Sequence, residues 1–282
     1  MALIAFAANS VLTRLALADG NIDSLSFTLL RLSSGAVMLA VLLGTKFYFS
    51  KQNDANNRSL KNIGSGLSSI FLFVYALCFS IAYLTIDTGT GALILFGAVQ
   101  ITMIFNQLRQ GNKLQLMEWI GVICAFSGFA YLVSPNISTP SFTGLVLMTV
   151  AGIAWAGYTI RGKQCDDPLK DTAGNFIRSL AFCLPVLVFI FFTQYSITPH
   201  GALLAITSGA ITSGIGYAIW YVALRGLTAT QAGVLQLLVP VIAALGGVIF
   251  VNERITFSFI LSSGLILFGI LMVILSKNKN HQ

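Results

Sequence analysis

Gly144-Leu145-Val146-Leu147-Met148-Thr149-Val150-Ala151-Gly152-Ile153-Ala154-Trp155-Ala156-Gly157-Tyr158 is an apolar run without a single charge. A lipid-facing strand of a closed barrel would alternate apolar and polar residues over about ten positions; this run does not alternate. In lipid every backbone N–H and C=O must be satisfied internally, which leaves the α-helix. The run is bounded by loop chemistry, Ser134-Pro135-Asn136 before it and Asp166-Asp167-Pro168 after it.

The rest of the chain repeats this pattern. Hydrophobic residues make up 56% and charged residues 9% of 282 residues, and the mean hydropathy is +0.85. Soluble domains carry about 25% charge, so this chain cannot cover a water-facing surface. A spanning helix takes about 20 residues. Ten fit, at 1–18, 24–45, 63–85, 89–108, 116–134, 141–161, 172–194, 201–224, 229–251 and 256–276. The expected fold class is an all-α membrane protein of ten transmembrane helices whose main partner is the lipid bilayer. The first span is expected to be retained: Met1-Ala2-Leu3-Ile4 has no positive charge, and Asn9, Thr13 and Arg14 interrupt its apolar core, both unlike a signal peptide.

The net charge of +7 does not indicate nucleic acid, because the basic residues sit between apolar runs. Lys46, Lys51, Arg58, Lys61, Arg109, Lys113, Arg161, Lys163, Lys170, Arg225, Lys277 and Lys279 fall in alternate loops, whereas the intervening loops hold only Arg254. By the positive-inside rule both termini are expected in the cytoplasm. Cys78, Cys124, Cys165 and Cys183 have no metal-ligand spacing and are read as unpaired. No metal or cofactor is expected.

The chain repeats internally. Ala8-Asn9-Ser10-Val11-Leu12-Thr13-Arg14 aligns with Trp155-Ala156-Gly157-Tyr158-Thr159-Ile160-Arg161, 147 residues on, and Arg31 with Arg178 at the same offset. Tyr75-Ala76-Leu77-Cys78-Phe79 aligns with Tyr217-Ala218-Ile219-Trp220-Tyr221 at an offset of 142, which Gly91 and Gly233 keep. The expected halves are 1–134 and 141–276, followed by a cytoplasmic tail at 277–282. Five helices per half is odd, so the second half is inverted, a signature of secondary transporters.

These stretches resemble the drug/metabolite transporter superfamily, in particular the ten-helix bacterial EamA-type transporters. Trp155-Ala156-Gly157-Tyr158 and its degenerate partner Ala8-Asn9-Ser10-Val11 resemble the aromatic-Gly start of each half, and Arg31 and Arg178 match the second-helix arginine. Leu227-Thr228-Ala229-Thr230-Gln231-Ala232-Gly233, Pro240, then Asn252-Glu253-Arg254-Ile255 resemble the ninth helix and its acidic turn, and Ser262 to Gly269 resembles the closing small-residue helix. The first half departs: Ala98-Val99-Gln100 replaces the fourth-helix proline and Gly111-Asn112-Lys113 the acidic turn. The resemblance implies multi-pass insertion in the cell inner membrane and export of amino acids or other small metabolites, without fixing the substrate.

Polar groups inside lipid are costly and tend to face a cavity or a partner. Asn9, Gln100 and Gln236 can bind donors and acceptors of a zwitterion, or simply bond between helices. Tyr75, Trp155, Tyr158, Tyr217 and Trp220 offer aromatic walls with polar tips for a small-molecule substrate, or ordinary packing. Arg31 and Arg178 either attract an anion or snorkel to headgroups; Asp23 and Asp171, about two turns earlier, give each a direction to lean, and the structural reading is favoured. Ala205, Gly209 and Ser213, and Gly64 and Ser68, carry the four-residue spacing of close helix contacts. No span has a central Asp, Glu or His, which points to a substrate-driven facilitator or weakly coupled carrier. Nor is there H-E-x-x-H, G-x-S-x-G or a P-loop, so no enzyme is expected. A membrane enzyme on a lipid-linked substrate and a non-transporting subunit stay open as alternatives, as do a monomer and a homodimer.

Overall fold

The computed structural model describes residues 1–49, 63–109, 111, 116–133, 140–163, 165–192, 195–227, 232, 235–236 and 238–278. Lys51, Arg58, Lys61, Asn112, Lys113, Ser134-Pro135-Asn136, Thr228 to Gln231, Gly233 and Lys279 onward lie outside them.

Ten helices follow: α1 (Ala2–Ala18), α2 (Ser24–Phe49), α3 (Gly66–Ala82), α4 (Thr88–Arg109), α5 (Leu116–Val133), α6 (Phe142–Gly162), α7 (Pro168–Phe191), α8 (Pro199–Arg225), α9 (Leu238–Val251) and α10 (Phe257–Asn278). α2, α4, α6, α7 and α8 are each long and apolar enough to cross a bilayer by themselves; the described parts of the others are shorter apolar helices. Local chemistry sets where they begin. Asp23, Ser65, Ser141, Asp167, Thr198 and Thr256 accept backbone N–H bonds from the first turns of α2, α3, α6, α7, α8 and α10. Pro168 and Pro199 occupy first-turn positions, where a missing N–H is harmless. Among the described residues the one β feature is an isolated bridge, Ile22 with Ile197.

Burial is the reverse of a soluble protein's. Ile249, Val37 and Phe268 point outward, each more than half exposed, whereas Thr13, Ser69, Arg31 and Gln236 are at most 1% exposed. Apolar side chains meet lipid, and polar groups turn inward to partners.

The packing obeys a two-fold exchange of each helix for the one five later. The packed pairs α1–α9 and α6–α4 exchange, as do α3–α6 with α8–α1 and α2–α8 with α7–α3. The pairs α2–α7, α4–α9 and α5–α10 map onto themselves. Helices five apart run in opposite directions because successive spans alternate. The chain is therefore an all-α membrane protein of ten transmembrane helices in two inverted five-helix repeats, and the halves interlock through all of these pairs, with α2–α7, α4–α9 and α5–α10 lying on the two-fold axis.

Two local expectations change. Gly64 is not part of a small-residue stripe on α3: it precedes the helix with φ +64°, against Gly174 and Asn175 of α7, where only glycine fits without strain. α8 is not uniformly α-helical; Ser208–Ile215 widens into a π-helical segment, the kind of irregularity often found at functional sites.

Gly209 in that segment lies against α2, where an added Cβ would strike the Arg31 carbonyl and the Ser34 hydroxyl; one at Gly35 would strike the Phe176 ring. Gly209→Leu should therefore lower the thermal unfolding temperature of detergent-purified protein, an overpacking penalty of about 1–3 kcal/mol. Gly44→Leu, where a Cβ meets nothing within 4 Å, should leave it nearly unchanged. Equal effects would mean the α2–α8 approach is not tight.

Candidate functional site

Arg31 stands seven residues into α2, about 10 Å from the helix start at 1.5 Å per residue. It is 1% exposed and does not snorkel. Nor does it lean toward Asp23, whose carboxylate accepts the N–H groups of Leu25, Ser26 and Ser196 instead. The guanidinium turns into the bundle. Nε donates to Ser213 Oγ at 3.0 Å, and Nη2 donates to the hydroxyls of Tyr217 at 2.7 Å and Tyr75 at 3.1 Å. Its carbon lies 5.1 Å from the Tyr75 ring centroid and 4.9 Å from that of Phe79, within cation–π range. Arg31 and Tyr75 belong to the first half, Ser213 and Tyr217 to the second.

Two features of this cation stand out energetically. Among the described residues its partners are all neutral, and its Nη1 is buried with no hydrogen-bond partner. A buried cation without an opposite charge carries a desolvation penalty of several kcal/mol. Three charge-assisted hydrogen bonds to neutral hydroxyls and two aromatic faces offset part of that. The Nη1 N–H groups stay idle while Nε and Nη2 are engaged, so a carboxylate could accept from Nη1 at once and reach a paired fork only by displacing one of the tyrosine bonds.

Asn9 extends the network. Its Nδ2 donates to Tyr75 Oη at 3.3 Å, and its Oδ1 accepts from Ser208 Oγ at 2.6 Å and Thr212 Oγ1 at 3.2 Å. Both hydroxyls come from the π-helical segment of α8. The Tyr217 hydroxyl also donates to that of Tyr75 at 3.1 Å.

Around this core the aromatics nest. Trp155 lies 4.6 Å from Tyr217, 5.1 Å from Tyr75 and 5.5 Å from Tyr158, centroid to centroid. Phe6 is the hub, touching Trp155, Tyr217 and Trp220 at 5.3, 5.8 and 5.5 Å. The indole N–H groups of Trp155 and Trp220 are buried without acceptors. The cluster thus holds three sets of idle donors, on α2, α6 and α8.

The structure brings Asn9, Arg31, Tyr75, Trp155, Tyr158, Tyr217 and Trp220 into one cluster. Gln100 is buried on α4. Gln236 is buried in the ninth span; its Nε2 donates to the Ala232 carbonyl at 3.3 Å, and its Oε1 has no partner. Arg178 is not Arg31's equal: it is exposed, and its Nε donates to the Ile63 carbonyl at 3.0 Å rather than to Asp171. Sequence reasoning missed Phe6, Phe79, Ser208 and Thr212, and took Ser213 for a packing residue. Only the density of hydroxyls in Ser208–Ser213 hinted at them. No span is expected to hold an internal acid, yet Glu118, in the first turn of α5, is 1% exposed. A buried carboxylate is therefore present, and it weakens the inference drawn from the lack of internal acids.

A second network closes the end of the bundle opposite the basic loops. Both Glu253 oxygens accept the Thr88 N–H at 2.9 Å, and Oε1 also accepts from Thr88 Oγ1 at 2.9 Å and Arg14 Nε at 3.3 Å. Glu253 thereby caps α4, where a carboxylate meets the positive end of the helix dipole. Asn252 ends α9 at φ 57°, and Glu253 N–H donates to the Gly247 carbonyl at 3.1 Å, which aims the carboxylate. Arg14 also donates to the Tyr83 carbonyl at 2.8 Å and lies 3.5 Å from Asp87. One carboxylate joins α1, α4 and α9.

Inverted helical repeats around a buried polar cluster shared between the halves are the architecture of a membrane transporter. The chain belongs to the EamA-like transporter family, whose sequence profile matches residues 1–134 and 142–275. An uncharacterized protein of Pseudomonas aeruginosa is 45% identical over 253 residues, covering 90% of this chain and 85% of its own. The uncharacterized transporter YoaV of Bacillus subtilis is 23% identical over 264 residues, 89% of this chain and 87% of its own. The threonine/homoserine exporter RhtA of Escherichia coli is 25% identical over 186 residues, 63% of this chain and 59% of its own. One solved crystal structure superposes with a TM-score of 0.66 at 16% identity, covering 100% of this chain and 98% of that one, which supports the fold.

Glu253→Gln should lower thermal stability by about 1.5–3 kcal/mol, the range for hydrogen bonds to a charged group. Asp87 is 60% exposed, so Asp87→Asn should cost no more than about 1 kcal/mol, as for surface pairs. Thermal unfolding of both variants in the same detergent checks this; equal losses would deny Glu253 its special role.

Proposed function

We propose that this protein exports amino acids or other small metabolites by alternating access, and that the Arg31 cluster receives the substrate's carboxylate. The observation that carries the proposal is the fully buried guanidinium with an unpartnered Nη1 and no carboxylate among its partners. A substrate carboxylate supplies the missing charge, the indole N–H groups of Trp155 and Trp220 add donors, and Tyr75, Tyr158 and Tyr217 wall the ligand. Asn9, Gln100 and Gln236 offer amides to its polar groups. The bonds from Arg31 to Ser213 and Tyr217 cross between halves, so binding at Arg31 competes with the contact that holds them together. That couples ligand to rocking, since a ligand shifts a conformational equilibrium only through differential contacts.

The halves in this reading are 1–134 and 141–276, with 277–282 as the tail. The basic loops face the cytoplasm of a cell inner membrane, by their charge bias, and the Glu253 network seals the external end. The name of RhtA supports amino acids as the first class to test, and the transporter relatives, with no catalytic constellation in the sequence, favour transport over enzymatic chemistry.

Purified protein in liposomes should exchange a labelled neutral amino acid in counterflow. Arg31→Met should abolish exchange yet leave thermal stability equal or higher, because replacing a buried charge that lacks a counter-charge by an apolar chain of similar volume removes a desolvation penalty. A stable Arg31→Met variant that still transports would sink the site. A collapse of its stability would show Arg31 to be structural.

A further inference from the structure

At the basic end, α3, α6, α7 and α8 surround a pocket of about 200 Å³ whose lining includes Ser65, Ser68, Arg161, Cys165, Asp171 and Tyr221. It is separate from the Arg31 cluster, whose members it does not include. Its lining holds one cation and one anion. Arg161 is anchored by hydroxyls, Nε to Ser68 at 3.1 Å and Nη2 to Ser65 at 3.1 Å, and not by a carboxylate. Asp171 accepts a long bond from the Gly64 N–H, 3.4 Å, and meets the Cys165 thiol. The two do not pair with each other: among the described residues Arg161 is in no ion pair within 4.0 Å. Opposite charges held apart across one small pocket present a field that suits a dipolar ligand.

The pocket walls are built to stay apart. Asn175 is buried and its Oδ1 accepts the Ser65 N–H at 2.8 Å, which fixes α7 against the start of α3. Gly64 turns through φ +64° beneath Gly174. Gly162 has no side chain, and a Cβ there would collide with the Tyr221 ring. Tyr221 forms the floor; its hydroxyl donates to the Tyr158 carbonyl at 2.9 Å, and the two rings lie 5.0 Å apart. Tyr158 in turn stacks on Trp155. An aromatic column thus leads from the pocket to the Arg31 cluster.

The repeat explains why this end is open. Arg161 is the counterpart of Arg14, which Glu253 holds at the opposite end. The first half has Gly111-Asn112-Lys113 where the second has that acid, so the acid that holds Arg14 has no sequence counterpart for Arg161.

We propose that this pocket is a docking site for a free α-amino-acid zwitterion, with its carboxylate on Arg161 and its ammonium on Asp171, where substrate waits before passing Tyr221. The volume suits a small molecule of this class, a few times the roughly 30 Å³ share of one water. The proposal rests on the transport reading for its purpose, but binding is measured without transport.

Full-length protein in nanodiscs is titrated by calorimetry with the neutral L-amino acids, and with threonine methyl ester and N-acetylthreonine, which each lack one charge. At least one amino acid should bind saturably. Arg161→Gln and Asp171→Asn should each weaken it at least about tenfold, a difference of about 1.4 kcal/mol, and both threonine derivatives should bind correspondingly worse than threonine. A second readout needs neither variant. Cys165 lines the pocket, and burial pushes its thiol up to about 11, so a small methanethiosulfonate reagent is applied at alkaline pH to protein whose other three cysteines are serine. The bound amino acid should slow its modification severalfold.

Failure of every amino acid to bind overturns the proposal, as does undiminished binding by Arg161→Gln or by the derivatives. Binding lost in Arg31→Met but kept in Arg161→Gln would move the ligand to the central cluster, overturning the pocket while supporting the transport reading. Binding in the pocket with no exchange in liposomes would leave the pocket standing and count against transport alone.

Discussion

The Arg31 guanidinium is the constraint around which the bundle is arranged. A full positive charge in a lipid-embedded core has to be met from several sides, and it is met by groups from both halves. Ser213 and Tyr217 reach it from α8, Tyr75 and Phe79 from α3. Those partners can come so close because α2 and α8 touch at glycines, with Gly35 and Gly209 removing the side chains that would otherwise separate them. The π-helical segment at the same level turns Ser208 and Thr212 toward Asn9, so that amide and cation share one network. No single contact suffices; a hydrogen bond adds about 1 kcal/mol between neutral groups and about 1.5–3 kcal/mol where one group is charged. Together they hold a charge whose own donors are still not all used.

The two halves share a backbone plan but not a chemistry. Equivalent arginines have diverged in role: Arg31 is buried among aromatics while Arg178 lies at the surface on the Ile63 carbonyl. Arg14 and Arg161 diverge in the other sense. Arg14 closes on Glu253, and Arg161 lines a pocket. An inverted repeat with identical halves would be equally stable with either end closed. Among the described residues one end has a carboxylate latch capping α4, Glu253, and the basic end shows no counterpart to it.

Much of this was legible in the sequence, because lipid imposes one rule on every span. Ten apolar runs, their Asp, Ser, Thr and Pro boundaries, the two offsets of 147 and 142, and the alternating basic loops follow from residue type and spacing alone. The helix starts observed at Ser24, Pro168 and Pro199 are local events set by the capping residue just before each. The aromatic and amide candidates were also recognisable, since polar groups in apolar helices are rare enough to be picked out singly.

What tertiary structure alone decided was which of those groups meet. Arg31 and Arg178 sit at the same repeat position, and nothing local separates a buried guanidinium from a snorkelling one; neighbours 44 and 186 residues away do. The left-handed turn at Gly64, the π-helical widening at Ser208–Ile215 and the pairing of Glu253 with Thr88 165 residues distant all depend on another helix being in place. Sequence periodicity specifies which face of a helix is polar. The choice of partner for that face is a packing outcome, fixed only when two helices approach closely enough for their side chains to exclude every other arrangement.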